Sequence, residues 1–154
     1  IDDSYSDFCI KGVQNLLDRK TGEMFGQIRL NLGQTMNKHL AVYRDQKGME
    51  QAKSDLAELK NRYSSVIVQD KNKIFNTNLI FTLELGFMLD CAETTIIGAL
   101  ERKESRGAHT RTDMPDRDDE NWLKHIVVRQ IDGKPKVDYV PVNITKWQPQ
   151  ERKY

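Results

Sequence analysis

The sequence predicts a mainly α fold: a helical bundle with a C-terminal loop and a short β-hairpin extension. Three observations carry that prediction. Apolar residues recur at steps of three and four through most of the first hundred positions. Polar breaks at Lys20-Thr21-Gly22 and Lys47-Gly48 divide that periodicity into separate helices. After Trp122 the pattern changes to Val-, Ile- and Tyr-rich segments on either side of Asp132-Gly133-Lys134-Pro135, which signals a hairpin.

The first helix is expected from about Ser4 to Asp18, with Phe8, Val13, Leu16 and Leu17 as an imperfect stripe. The second runs from about Met24 to Arg44 on Phe25, Ile28, Leu32, Met36, Leu40 and Tyr43. Gly33 and Asn37 weaken its intrinsic propensity, so packing must hold it. The third repeats the spacing through Met49, Ala52, Leu56, Leu59 and Tyr63, with Glu50, Lys53, Asp55, Glu58 and Lys60 on a solvated face. Val66-Ile67-Val68 fits either a strand or a loop.

The fourth helix is capped near Asn76-Thr77-Asn78 and carries apolar residues around nearly its whole circumference. It should be the buried centre of the bundle and end near Ser105-Arg106-Gly107. The chain thus divides into a bundle over residues 1–104 and a motif loop, hairpin and tail over 105–154. Residues 110–121 form a charged loop, strands follow over 122–131 and 136–142, and the tail from Thr145 is polar.

Composition narrows the function. A chain of 154 residues makes one domain and leaves no room for a dinucleotide fold plus a substrate domain. Twenty-four basic residues against 23 acidic ones create no field for nucleic acid or anionic lipid. Two cysteines, Cys9 and Cys91, fit buried thiols in a reducing compartment. No apolar run is long enough to enter a membrane directly. A chain opening on Ile1 rather than Met fits an excised piece of something longer.

The densest polar cluster is Glu104-Ser105-Arg106-Gly107-Ala108-His109-Thr110-Arg111, continuing through Asp113, Pro115 and Asp116 to Trp122. Asp116, Asp118 and Glu120 alternate like a calcium loop, but the central Gly and distal Glu are missing and Arg117 interrupts. Ser105 and His109 lack the elbow and orienting group of a nucleophilic pair. An autonomous enzyme built on His109 and Asp113 would need a pocket around the histidine. No Gly-rich phosphate loop follows a strand. These residues therefore assign no catalytic, cofactor or metal site; a salt-bridged loop in an accessory or docking domain accounts for them.

Glu104-Ser105-Arg106-Gly107-Ala108-His109, with Asp113-x-Pro115-Asp116-Arg117-Asp118-Asp119-Glu120-Asn121-Trp122-Leu123-Lys124-His125, resembles the C-terminal region of the succinate dehydrogenase and fumarate reductase flavoprotein subunit. Asn76-Thr77-Asn78-Leu79, Leu83-Glu84-Leu85 and the ending Glu151-Arg152-Lys153-Tyr154 are similar too. The resemblance implies a three-helix, spectrin-repeat-like bundle that is non-catalytic and buttresses an FAD domain.

FAD, the capping domain and the catalytic groups would lie elsewhere in the parent protein, with an iron–sulfur subunit as partner. Arg106, His109, Arg117, Asp118 and Trp122 become candidates for docking the bundle's end against those neighbours. The parent would sit peripherally on the cytoplasmic or mitochondrial-matrix face of a membrane. A bundle cut from its flavin domain would leave an apolar face, around Phe81, Phe87 and Met88, and could self-associate. L-aspartate oxidase, which shares the Ser-Arg-Gly-x-His motif, and a free-standing interaction module are the alternatives.

Overall fold

The computed structural model describes residues 3–150. Helices α1 (Asp3–Asp18), α2 (Phe25–His39), α3 (Gln46–Ser64) and α4 (Thr77–Glu101) form the body. A short strand β1 (Tyr43–Arg44) lies between α2 and α3. After α4 come β2 (Thr110–Arg111), a single helical turn α5 (Asp119–Trp122), and the ribbon of β3 (Lys124–Ile131) and β4 (Lys134–Pro141). The motif Glu151-Arg152-Lys153-Tyr154 lies outside the described residues.

Helices α2, α3 and α4 pack on one another as a three-helix bundle. The periodic residues named above supply its core: Ile28 and Leu32 from α2, Met49, Ala52, Leu56 and Leu59 from α3, and Leu85, Leu89, Ala92, Ile96 and Ala99 from α4. Burying a side chain of this kind is worth about 1.5–3 kcal/mol. Helix α1 has no buried residue and reaches the core through Leu16. The α4 N-terminus forms as the sequence predicts. Asn76 Oδ1 accepts the Leu79 amide at 2.8 Å, while its Nδ2 donates to the carbonyls of Asp70 and Asn72 at 2.7 and 2.8 Å.

Several expectations are corrected. Helix α2 ends at His39, not Arg44. The Val42 and Arg44 carbonyls accept the Thr110 and Thr112 amides at 3.1 and 2.8 Å, so this stretch pairs in parallel with β2. Lys47-Gly48 is not a break. It lies in the first turn of α3, where Asp45 caps the Gly48 amide at 2.7 Å. Helix α4 stops at Glu101, four residues short of Ser105, as Arg102 turns to extended backbone. Only one face of α4 is buried; Ile80, Phe81, Phe87 and Met88 are exposed on the others. Val66 and Val68 are buried in a loop bridged to Met24. Cys9 and Cys91 are exposed, not buried.

The hairpin turn holds two residues, Asp132 and Gly133, both at positive φ, so Ile131 pairs directly with Lys134. Pro135 therefore belongs to β4, opposite Gln130, rather than to the turn. None of the helices among the described residues is long and apolar enough to cross a membrane.

Candidate functional site

The charged motif closes the C-terminal end of α4 as an ion-paired collar. Its centre is Glu104, whose side chain is wholly removed from solvent. A buried carboxylate is costly unless donors surround it. Arg106 supplies Nε and Nη2 at 2.7 and 2.9 Å, Arg102 supplies Nη1 at 2.5 Å, and the Asp118 amide adds a fourth bond at 2.8 Å. Burial acts to raise the Glu104 pKa; the Arg106 bonds, the Asp118 amide and Arg102 outweigh it and hold the carboxyl below its ordinary range.

A second knot lies beside it. Arg111, also without exposure, grips Asp113 with two bonds, Nε to Oδ1 at 2.8 Å and Nη2 to Oδ2 at 2.6 Å. Its remaining donors meet Gln46 Oε1 at 3.0 Å and the Arg102 carbonyl at 3.2 Å. Asp113 in turn accepts the Gln46 amide at 3.0 Å, joining the loop to the start of α3. The Arg111 bonds hold the Asp113 carboxyl far below the usual carboxylate range.

The five sequence-predicted docking residues divide between four settings. Arg106 links Glu104 to Asp119, at 2.6 Å. Arg117 pairs with the same Asp119 and donates Nη1 to the Gln150 carbonyl at 2.6 Å, tying the tail to the collar. These two guanidinium groups hold Asp119 down to about 2. Asp118 caps α5, accepting from the Asn121 backbone and side chain at 3.0 and 2.9 Å. Trp122 offers its carbonyl to Arg102 at 3.0 Å, and its ring lies 4.5 Å from Lys124 Nζ, edge-on to Tyr139.

His109 joins Arg106 through two backbone bonds, its amide to the Arg106 carbonyl at 3.0 Å and the Arg106 amide to its own carbonyl at 2.9 Å. Its Nδ1 is 3.0 Å from Arg44 Nη1 on β1. Burial, together with the positive charge of Arg44, lowers its pKa. Ser105 does not meet it: the Ser105 hydroxyl lies 2.8 Å from the Met114 carbonyl and accepts the Arg111 amide at 2.7 Å.

Sequence reasoning passed over Glu104, Arg111 and Arg102 as site residues. The sequence places them in a polar, salt-bridged run, and only the bonds in three dimensions show that Glu104 and Arg111 are buried at its centre. The cluster's arginines were the available signal, because paired guanidinium–carboxylate bonds are what permit such residues to be buried.

The chemistry of the donors does not suit FAD. Arg102, Arg106, Arg111 and Arg117 are committed to internal carboxylates. The grooves of about 520 and 380 Å³ beside α1 are lined mainly by apolar side chains, with Arg19 and Lys73 as their basic residues.

Fold and collar together define a mainly α domain whose charged motif is ion-paired within the chain. Residues 29–154 match the family described as fumarate reductase flavoprotein C-term, and the chain belongs to that family. It is 40% identical over 153 residues to the fumarate reductase flavoprotein subunit of Haemophilus influenzae, covering 99% of this chain and 26% of that protein. It is also 40% identical over 124 residues to the succinate dehydrogenase flavoprotein subunit of Rickettsia conorii, covering 79% of this chain and 21% of that one. A solved Escherichia coli quinol fumarate reductase chain superposes with a TM-score of 0.90 at 35% identity, covering 97% of this chain and 26% of that chain. The chain thus spans about a quarter of the length of relatives it matches.

Proposed function

We propose that this chain is the non-catalytic C-terminal domain of a flavoprotein subunit that interconverts succinate and fumarate. FAD, the capping domain and the substrate site belong to the remainder of the parent protein, and electrons pass from there to an iron–sulfur subunit. The parent sits peripherally on the cytoplasmic or matrix face of its membrane. The chain's task is to brace the flavin-binding part, and the collar residues Arg106, Arg117, Asp118 and Trp122 hold the loop in the shape that docks.

The observation that carries this reading is the apolar side formed by α1 and α4. Phe8 on α1 is 74% exposed and Phe87 on α4 69% exposed, and Tyr5, Ile10 and Ile80 on the same two helices are exposed too. The groove of about 520 Å³ runs between Val13 and Leu16 on α1 and Leu83 and Phe87 on α4. Free monomers seldom leave many large apolar side chains of neighbouring helices together in water. The rest of a protein four times as long supplies the natural cover, and self-association of the isolated chain is the alternative cover when it is absent.

Phe8→Asp and Phe87→Asp test the reading in the full flavoprotein. Both should cut FAD retention through gel filtration, while the isolated chain keeps its thermal midpoint. Unchanged FAD retention, with Phe8 as reactive to hydroxyl radicals in the full protein as in the isolated chain, would overturn it.

A further inference from the structure

Among the described residues, Arg44 is the one arginine at the collar without a carboxylate. Arg102 and Arg106 share Glu104, Arg111 holds Asp113, and Arg117 holds Asp119. Arg44 instead donates Nε to the Ala41 carbonyl at 2.6 Å and Nη1 to His109 Nδ1 at 3.0 Å. Both acceptors are neutral. An arginine donor requires that Nδ1 accept, so in this contact the His109 ring is neutral with its proton on Nε2, a buried nitrogen that has no hydrogen-bond partner among the described residues. Burial lowers the Arg44 pKa.

The group is also held in place. Its backbone is locked to β2 by the Thr110 and Thr112 amides. Acceptors at both Nε and Nη1 hold the guanidinium, so little rotamer freedom is left to lose on binding. Val42 and Tyr43 beside it are exposed, Tyr43 by 73%. A rigid arginine flanked by an exposed tyrosine has the composition of an interface anchor.

We infer that β1 is a second docking point, at which Arg44 receives an Asp or Glu carboxylate from the flavin-binding part of the same polypeptide, with His109 as the positioning residue. This rests on the function proposed above. The same-chain occupant follows from magnitude. One partly exposed ion pair contributes only about 0–1 kcal/mol, too little to recruit a separate protein. Within one polypeptide the partner is already present at high effective concentration. Leu83 on the apolar side and Arg102 at the collar are separated by 19 residues, about 28 Å along a helix axis. The two points would hold the domain at opposite ends.

The test uses the full flavoprotein. Arg44→Lys places an amine where a water-soluble carbodiimide can join it to a neighbouring carboxylate. The expected product is an isopeptide cross-link, read by mass spectrometry, from position 44 to an Asp or Glu in the part of the protein outside these 154 residues. In the unsubstituted protein, Tyr43 should be several-fold less reactive to hydroxyl radicals than in the isolated chain. Cross-links confined to carboxylates of these 154 residues, or reaching only a separate subunit, would overturn the inference. So would a Tyr43 as reactive in the full protein as in the isolated chain. Protection of Phe8 and Phe87 in the same experiment reports on the apolar side independently, so the two readings can fail separately.

Discussion

Arg111 and Asp113 are joined by two guanidinium–carboxylate bonds across a single intervening residue, with the arginine entirely inside the protein and the aspartate about one-third exposed. The loop curls back on itself there, and the Met114 amide bonds to the Arg111 carbonyl at 3.2 Å. Asp113→Asn should destabilise the chain by about 3 kcal/mol, because it leaves a buried cation without its counter-charge. Urea denaturation measures this. A midpoint unchanged within error would mean that Gln46 and the Arg102 carbonyl satisfy Arg111 by themselves.

Glu104 makes the parallel case at the end of α4. Glu104→Gln replaces an acceptor of four bonds with an amide that offers one oxygen and forces an N–H against donors from Arg106, Arg102 or Asp118. A loss of about 3 kcal/mol is expected. Asp138→Asn breaks a solvent-exposed pair with Arg129 on the ribbon and should leave the urea midpoint where it was. Equal effects from both would show that burial is not what gives the collar its strength.

Acid should unfold the chain in two stages. His109 has a folded pKa below its ordinary 6.5, through burial and then the charge of Arg44. Below that ordinary value the unfolded chain binds the proton more readily, so stability falls as pH drops from about 6.5. Glu104 and Asp113 are also depressed, from 4.5 and 3.8. Their contribution is intact above those values and is lost as the pH falls below them. Denaturation midpoints between pH 8 and 3 should show both stages, and His109→Gln should flatten the upper one. A wild-type midpoint constant between pH 7 and 5.5 would refute neutral burial of His109.

The bundle was legible because its signal is local. Ile28 and Leu32, or Leu85, Leu89 and Ile96, are spaced as one helix face requires, and they are the buried residues. The Asn76 cap was legible for the same reason. What the pattern could not show was which apolar faces stay uncovered. Phe87 has the same chemistry as a core residue and is exposed. The collar was hidden by the opposite effect: Glu104 and Arg111 carry charge and are buried, through partners that no periodicity reveals. The end of α2, expected near Arg44, comes at His39 because Tyr43 pairs with Thr110, 67 residues away in sequence.

Gly86 and Gly98 share helix α4 and should respond oppositely to alanine. Glycine inside a helix costs roughly 0.5–1 kcal/mol relative to alanine, so filling an open site stabilises. At Gly98 an added Cβ meets nothing within 4 Å, and Gly98→Ala should raise stability by about that amount. At Gly86 the added Cβ would lie 2.6 Å from Tyr63 Oη and 3.0 Å from Cζ. The Tyr63 ring packs against the core, and its hydroxyl donates to the Thr82 carbonyl at 3.0 Å, so it has little room to retreat. Gly86→Ala should therefore destabilise by about 1–3 kcal/mol despite the better helix former. Tyr63→Leu removes the ring, and in that background Gly86→Ala should become neutral or favourable. A destabilisation by Gly86→Ala that persists without the ring would show that the crowding comes from some group other than Tyr63.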